Sequence, residues 1–285
     1  MPSGRIIKGV AGIYTVVLGD SEYLCQARGL FRKQGRSPIV GDFAEISITD
    51  EEKKTGYLLD IFERKNELIR PKIANVDQAV IVVAAEQPQV NLKLLDEFVI
   101  MIEKQKLDII ICINKIDLDE NGNYIAVGEV YKNAGYTVVY ASAEKTSGLD
   151  ELRSLFAGKV SVLAGPSGVG KSSLINSVFP NVQMQTGELS KKIARGKHTT
   201  RKTEFIPVAE NGYLADTPGF TSIFLEHIPL AEFKYLFREF EDYNDKCRFA
   251  DCSHLAEPDC AVKERLGSGI SLSRYENYTN FMKRG

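Results

Sequence analysis

No apolar stretch in this chain approaches bilayer length, and no opening segment joins a basic patch to a long apolar run. Membrane insertion and export are therefore not expected, and a cytoplasmic setting is. Charge of one sign is also missing. Lys and Arg number 36 against 38 Asp and Glu, for a formal net charge of −2. That balance argues against a protein coated in positive charge, so any nucleic-acid contact has to come from local patches. Cysteine is sparse, five in 285 residues, which points away from a disulfide framework. Cys25 and Cys112 sit in strand-like runs and read as small buried hydrophobes. Internal repeats and low-complexity segments are lacking as well.

What is present divides into three patterns. Residues 5–65 hold five short alternating runs (Ile6–Val10, Tyr14–Leu18, Glu22–Ala27, Asp42–Ile48, Gly56–Phe62) punctuated by Gly, Asp and Ser. Five short strands with a basic loop between them (Arg28, Arg32, Lys33, Arg36) predict a small closed β-barrel. An OB-fold is the preferred reading, and periodicity alone leaves an SH3-like barrel open. From Val76 the chain switches to long apolar strands alternating with helices, the signature of a doubly wound α/β domain. Asn91 is placed to cap a helix carrying Leu92, Leu95, Val99 and Ile102. Beyond Gly219 the pattern reads as helical around Leu230–Tyr243, then a cysteine knot, then a helix from about Ser271. The expected domains are 1–66, 67–225 and 226–285.

The α/β segment carries the chemistry. Residues 165–172 read Gly-Pro-Ser-Gly-Val-Gly-Lys-Ser, a phosphate-binding loop between the strand Lys159–Ala164 and a helix that Pro180 stops. Gly165, Gly168 and Gly170 give the backbone freedom to wrap a polyphosphate, with Pro166, Ser167 and Val169 between them. Lys171 is expected to neutralise β- and γ-phosphate oxygens, Ser172 to ligate Mg²⁺, and Ser173 to follow on the helix. Asn114-Lys115-Ile116-Asp117 closes another apolar strand. The Asp117 carboxylate can accept from the ring N–H and the exocyclic amine of guanine together, a pair that adenine does not offer. Asn114 would tether the base-binding loops, and Lys115 would lie over the base. About 25 residues further on, Ser142-Ala143 stands where a backbone N–H meets the guanine carbonyl. This base reader precedes the phosphate loop, the reverse of the order in an ordinary small GTPase.

Asp216-Thr217-Pro218-Gly219 ends a further apolar strand, where an Mg²⁺-binding aspartate and a γ-phosphate-contacting glycine belong. Between it and the phosphate loop, Lys191–Lys202 holds six basic residues and no acid, within which stands Gly196-Lys-His-Thr-Thr-Arg201. Thr200, preferred over Thr199, is expected to complete the Mg²⁺ shell. Cys247, Cys252, His254 and Cys260 follow the pattern C-x4-C-x-H-x5-C. Three thiolates and one imidazole are the ligand set of a closed, structural zinc site.

Together, the N-terminal barrel, the reversed motif order and the Cys-Cys-His-Cys cluster resemble the RsgA (YjeQ) family of bacterial GTPases that depend on the small ribosomal subunit. The resemblance covers essentially the whole chain. It implies a multidomain protein: an OB-fold β-barrel, a circularly permuted α/β P-loop GTPase domain and a C-terminal helical zinc-binding domain. It further implies GTP hydrolysis to GDP and phosphate, stimulated by the small subunit, in late maturation of that subunit, with rRNA as partner. A monomer is expected. Lys197 stands where an arginine is equally expected. Phe220 follows Gly219 where Ras-like enzymes carry a water-orienting glutamine, which leaves His198 as the internal candidate for that task. The alternative reading of the same motifs is a nucleotide-gated rRNA-binding protein in which turnover is incidental.

Overall fold

The computed structural model describes residues 1–27, 29, 31, 35–69, 71–184, 203–216 and 225–283. The chain forms two compact units, and each is built from non-contiguous segments. The first comprises Met1–Gln78, Arg153–Leu163 and Phe179–Phe220; the second comprises Ala79–Leu152, Ala164–Val178 and Thr221–Gly285.

In the first unit the five alternating runs become β1 (Ser3–Val10), β2 (Ile13–Leu18), β3 (Ser21–Ala27), β4 (Phe43–Asp50) and β5 (Thr55–Ile61). Antiparallel pairing joins β1 to β2 and β2 to β3. β3 then pairs in parallel with β5, β5 runs antiparallel to β4, and β4 returns to β1. This closed order, 1-2-3-5-4-1, is the five-stranded Greek-key barrel of an OB-fold and excludes the SH3-like alternative. Alternation does the sorting. On β3, Tyr23 and Cys25 point into a core with Ile6, Val16, Ile46, Leu58 and Ile61, while Leu24 and Gln26 face out. Burial pushes the Cys25 thiol up to about 11, as befits an inert core residue. A short hairpin, β6 (Glu67–Leu68) and β7 (Ile73–Ala74), follows the barrel. The unit is extended by β11 (Val160–Ala164, whose last residue lies across the boundary), β12 (Glu204–Ala209) and β13 (Gly212–Asp216). β1 pairs with β12 through Lys8 opposite Glu204, β12 with β13, and β13 in parallel with β11.

The second unit takes the apolar strands β8 (Gln78–Ala84, whose first residue lies across the boundary), β9 (Asp108–Asn114) and β10 (Thr137–Tyr140). β9 and β10 run parallel, and β8 lies on the other side of β9. Every residue of β8 is buried, as expected of a strand covered on both faces. Among the described residues its helices are α1 (Leu92–Glu103), α2 (Asn123–Asn133), α3 (Leu149–Ser154, whose last two residues lie across the boundary), α4 (Lys171–Val178) and α5 (Leu272–Met282). Asn91 caps α1 as its position predicts, its side chain accepting from Leu94 N–H at 3.0 Å. Leu95, Phe98, Val99 and Ile102 form the buried face of that helix. Among the described residues no helix is long and apolar enough to cross a membrane.

The segment expected to be helical over 230–243 is instead a chain of short 3₁₀ turns at Leu230–Tyr235, Arg238–Phe240 and Asn244–Lys246. Aromatic packing accounts for the difference. Phe237 stacks on Phe240 with ring centroids 5.2 Å apart, and Tyr278 of α5 meets both edge-on. The i→i+3 bonds Leu236 N–H to Phe233 C=O and Phe240 N–H to Phe237 C=O close the turns that present these rings. Ile100 of α1 reaches into the same cluster, so the C-terminal core and the α/β core share a helix.

A buried polar network fastens that joint. Arg274 of α5 is 1% exposed and Asp96 of α1 is fully buried. Asp96 accepts from Arg274, from Asn277 Nδ2 at 2.6 Å and from Tyr131 Oη at 2.9 Å. Glu239 holds the other edge of the same guanidinium. Burial works against charge on both partners and pushes the Asp96 pKa up. Burial alone would depress Arg274, but the Asp96 and Glu239 carboxylates outweigh it and hold the guanidinium above its ordinary range. With three donors converging on one carboxylate, the ionised pair is the state the geometry favours. Arg274→Met leaves two carboxylates without their cation and is expected to cost about 3–5 kcal/mol. Adding Asp96→Asn should recover part of that loss. Denaturant unfolding at saturating zinc measures both, and a double variant as unstable as the sum of the single variants would contradict the pairing.

Candidate functional site

The phosphate-loop residues leave β11 and enter α4 in the conformation the motif demands. Gly165 and Gly170 have φ of +121° and +89°. A Cβ on Gly165 would stand 2.1 Å from the Val82 carbonyl oxygen, and one on Gly170 would stand 2.7 Å from Asn114 Nδ2. Conformation and space therefore both exclude a side chain at these two positions. Ser167 and Gly168 are exposed at the tip, Val169 is buried, Pro166 and Ser172 are half-buried, and Ser173 is exposed on the first turn of α4. Lys171 folds back over its own loop, donating to the Gly165 and Pro166 carbonyls at 2.9 and 2.7 Å. Burial lowers its pKa. A polyanion in the loop would offer the ammonium full charges in place of those two carbonyl dipoles.

The loops that carry Asn114–Asp117 and Ser142-Ala143 close onto the same place. Asn114 ends β9 and uses both ends of its amide. Its Nδ2 donates to the Val169 carbonyl at 2.9 Å, and its Oδ1 accepts from Ala143 N–H at 3.4 Å. Lys115, at φ +59°, sends Nζ to the Gly168 carbonyl at 2.8 Å and to the Gln87 carbonyl. Two side chains of the earlier motif thus hold two backbone carbonyls of the later one. Asp117 receives a hydrogen bond from Ser142 Oγ. Ser142 is itself fixed by a two-way backbone exchange with Ser147 and by Lys145 N–H on its hydroxyl. Asn114, Lys115, Asp117, Leu118, Ala143, Glu144, Gly170 and Ser173 line one cleft of about 380 Å³.

Among the residues singled out in sequence, Asp216 closes β13. His198, Thr199, Thr200 and Gly219 lie outside the described residues. Sequence reasoning missed the orienting role of the Ser142 hydroxyl, the Gln87 carbonyl, and Leu118 and Glu144 on the cleft wall. The only signal for Leu118 and Glu144 is adjacency, one residue beyond each motif. Gly170→Ala is expected to cost about 1–3 kcal/mol by combining strain with displacement of the Asn114 amide. Gly168→Ala, whose Cβ would meet only Pro88 Cδ at 3.9 Å, should cost less. Comparing their denaturation midpoints tests the Asn114 contact, and equal losses would refute it.

A second constellation lies in the C-terminal part. The ligand atoms of Cys247, Cys252, His254 and Cys260 all lie within 4.8 Å of one another. His254 Nδ1 is 3.5 Å from Cys247 Sγ and 3.4 Å from Cys260 Sγ, and those two sulfurs are 3.9 Å apart. A tetrahedral ion with bonds of about 2.3 Å to sulfur and about 2.0 Å to nitrogen has edges of roughly 3.8 and 3.5 Å. The cluster therefore fits a metal of that geometry. Burial pushes the Cys252 thiol up to about 12 and Cys260 upward as well. Burial, aided by the Lys234 charge, lowers His254. A neutral imidazole is the form that can donate to a metal, and a cation is what would draw the thiols to thiolates.

Comparison with known proteins agrees with this geometry. A family model described as RsgA GTPase matches residues 61–226, and one described as RsgA N-terminal domain matches residues 3–58. A curated relative from Alkaliphilus metalliredigens, named small ribosomal subunit biogenesis GTPase RsgA, is 46% identical over 279 residues, 98% of this chain and 96% of the relative. The protein of that name from Geobacillus thermodenitrificans is 44% identical over 286 residues, 99% of this chain and 97% of its own. Among solved structures, YjeQ from Thermotoga maritima superposes with a TM-score of 0.87 at 35% identity, covering 99% of this chain and 98% of that one. YloQ, described as a circularly permuted GTPase, gives 0.84 at 38% identity over 100% and 94%. Two family models end to end and relatives aligned along nearly the whole length place this chain in the RsgA family of GTP-hydrolysing enzymes.

Proposed function

We propose that this chain binds GTP with Mg²⁺ and hydrolyses it to GDP and phosphate while acting on the small ribosomal subunit late in its maturation, with turnover stimulated by that subunit. The observation that carries the reading is the shared cleft. A carboxylate suited to guanine and a phosphate loop line one cavity, tied together by Asn114. The relatives' name, small ribosomal subunit biogenesis GTPase, supports the subunit as partner.

In this reading Asp117 accepts from the guanine edge, oriented by Ser142. Asn114 and Lys115 hold the base loop to the phosphate loop, and the Ala143 N–H meets the base carbonyl. The N–H groups of residues 167–173 wrap the phosphates. Lys171 exchanges its carbonyl partners for β- and γ-phosphate oxygens, where negative charge gathers as water attacks the γ-phosphorus and the bond to the bridging oxygen breaks. Ser172, Thr200 and Asp216 would hold Mg²⁺, which offsets charge on the phosphates. The Gly219 N–H contacts the γ-phosphate, and His198 positions the attacking water. Cys247, Cys252, His254 and Cys260 would hold one structural Zn²⁺. The barrel and the basic stretch Lys191–Lys202 are assigned to rRNA. The working unit is a cytoplasmic monomer with no membrane role, organised as domains 1–66, 67–225 and 226–285.

Asp117→Asn is expected to weaken GTP binding roughly tenfold to a hundredfold, the loss of a charged hydrogen-bond pair worth about 1.5–3 kcal/mol. The same change should improve binding of xanthosine triphosphate. Competition titrations read both, and an unchanged preference would remove Asp117 from base recognition. His198→Ala should lower subunit-stimulated phosphate release at least about tenfold with GTP affinity intact. Unaltered stimulated turnover would exclude His198 from water positioning.

A further inference from the structure

His254 is fully buried, and its two ring nitrogens face different neighbours. Nδ1 looks at the sulfurs of Cys247 and Cys260, while Nε2 lies 2.8 Å from Asn244 Oδ1. The direction of that second contact decides which nitrogen can bind a metal. Asn244 is buried, and its Nδ2 donates to the main-chain carbonyl of Lys234 at 3.3 Å. With the amide nitrogen committed there, Oδ1 is what faces the ring, and a carbonyl oxygen can only accept. Nε2 must then carry the hydrogen, which leaves the lone pair on Nδ1 aimed at the sulfurs. A reversed amide would put N–H against Nε2 and force the ring hydrogen onto Nδ1, where it would block the cluster.

Lys234 supplies a second, independent observation. It is 9% exposed, and its ammonium donates to the carbonyl of the ligand residue Cys252 at 3.1 Å and lies over the Tyr235 ring. Neither partner carries a full negative charge. A buried ammonium without an anion is costly. Four neighbouring charges have other partners. Glu257 accepts from the Ser253 hydroxyl and from the N–H groups of Ser253 and Leu255, while Lys263 donates to the carbonyls of Leu255 and Glu257. Arg248 pairs with Asp259. Three thiolates and a neutral imidazole around a divalent cation leave one net negative charge, and Lys234 is the cation placed beside it.

We propose that Asn244 and Lys234 form a dedicated outer layer of the Cys-Cys-His-Cys site, Asn244 selecting His254 Nδ1 as the ligand and Lys234 balancing the anionic centre and damping its thiolates. The inference rests on reading the cluster as a zinc site. Neither residue belongs to the ligand pattern. Both come from the 3₁₀ turns Leu230–Tyr235 and Asn244–Lys246, which gives those turns a task beyond packing.

The test uses the full-length protein with zinc as probe. Long-range ¹⁵N–¹H spectra of histidine-labelled, zinc-loaded protein should show His254 protonated on Nε2 and metal-bound through Nδ1. Asn244→Leu should lower zinc affinity about 10–100-fold in competition with a chelating dye, while Asn244→Asp, which keeps the acceptor, should not. Lys234→Met should speed zinc release by N-ethylmaleimide roughly tenfold, and Lys234→Arg should restore the slow rate. One zinc per wild-type chain, together with Nε2 ligation or with unaltered affinity and release in the Leu and Met variants, would overturn the inference alone. Wild-type protein without zinc would overturn the metal reading and the inference with it.

Discussion

Asn114 holds the nucleotide half together. Its one amide reaches the Val169 carbonyl in the phosphate loop and the Ala143 N–H in the following base loop, so three separate segments meet at a single side chain. The contact adds to the demand for glycine at 170, because a Cβ there would stand 2.7 Å from the Asn114 amide nitrogen. The contact also explains how the motif order can be reversed. Coupling between base and phosphate loops runs through space, from side chain to carbonyl, and is indifferent to which segment comes first along the chain. Lys115 repeats the arrangement one residue on, at Gly168.

Much of this was legible because it depends on local rules. Gly165, Gly168 and Gly170 stand at fixed intervals since each must take a positive φ, and such requirements leave a pattern in sequence. The barrel strands show themselves by alternation, and the 1-2-3-5-4-1 closure then follows from pairing that no periodicity encodes. Asn91 could be read as a cap because capping is local too. What could not be read depends on distant partners. Ser142 can be placed by its spacing from Asn114–Asp117, but the part its hydroxyl plays shows only when it is seen on Asp117, 25 residues away. The segment 230–243 reads as helical because Phe233, Phe237 and Phe240 have near-helical spacing, but ring stacking and the cysteine cluster set its geometry. The interleaving of segments in both units likewise has no local signal.

The C-terminal region is bound to the α/β core from two sides. Ile100 enters its apolar cluster, and the Asp96 carboxylate takes Arg274 and Asn277 from α5. From that same helix Tyr275 and Tyr278 donate to the carbonyls of His254 and Ser253 at 2.7 and 2.6 Å. α5 is therefore the common support of the α/β core and of the cysteine loop. Polar groups at this joint are matched nearly one to one, so a substitution there strands a partner as well as removing a contact.

Asp96 and Arg274 are separated by 178 residues of chain. During synthesis the acid therefore leaves the translating machine long before its base. Until then the carboxylate has Tyr131 but neither Arg274 nor Asn277, and ionised burial is unfavourable. The carboxylate thus gains its full set of partners only after the last helix has been made. A truncated product arrested before Arg274 would carry every nucleotide motif yet leave α1 with an unanswered charge at its centre, the kind of defect by which quality control distinguishes finished polypeptides from fragments.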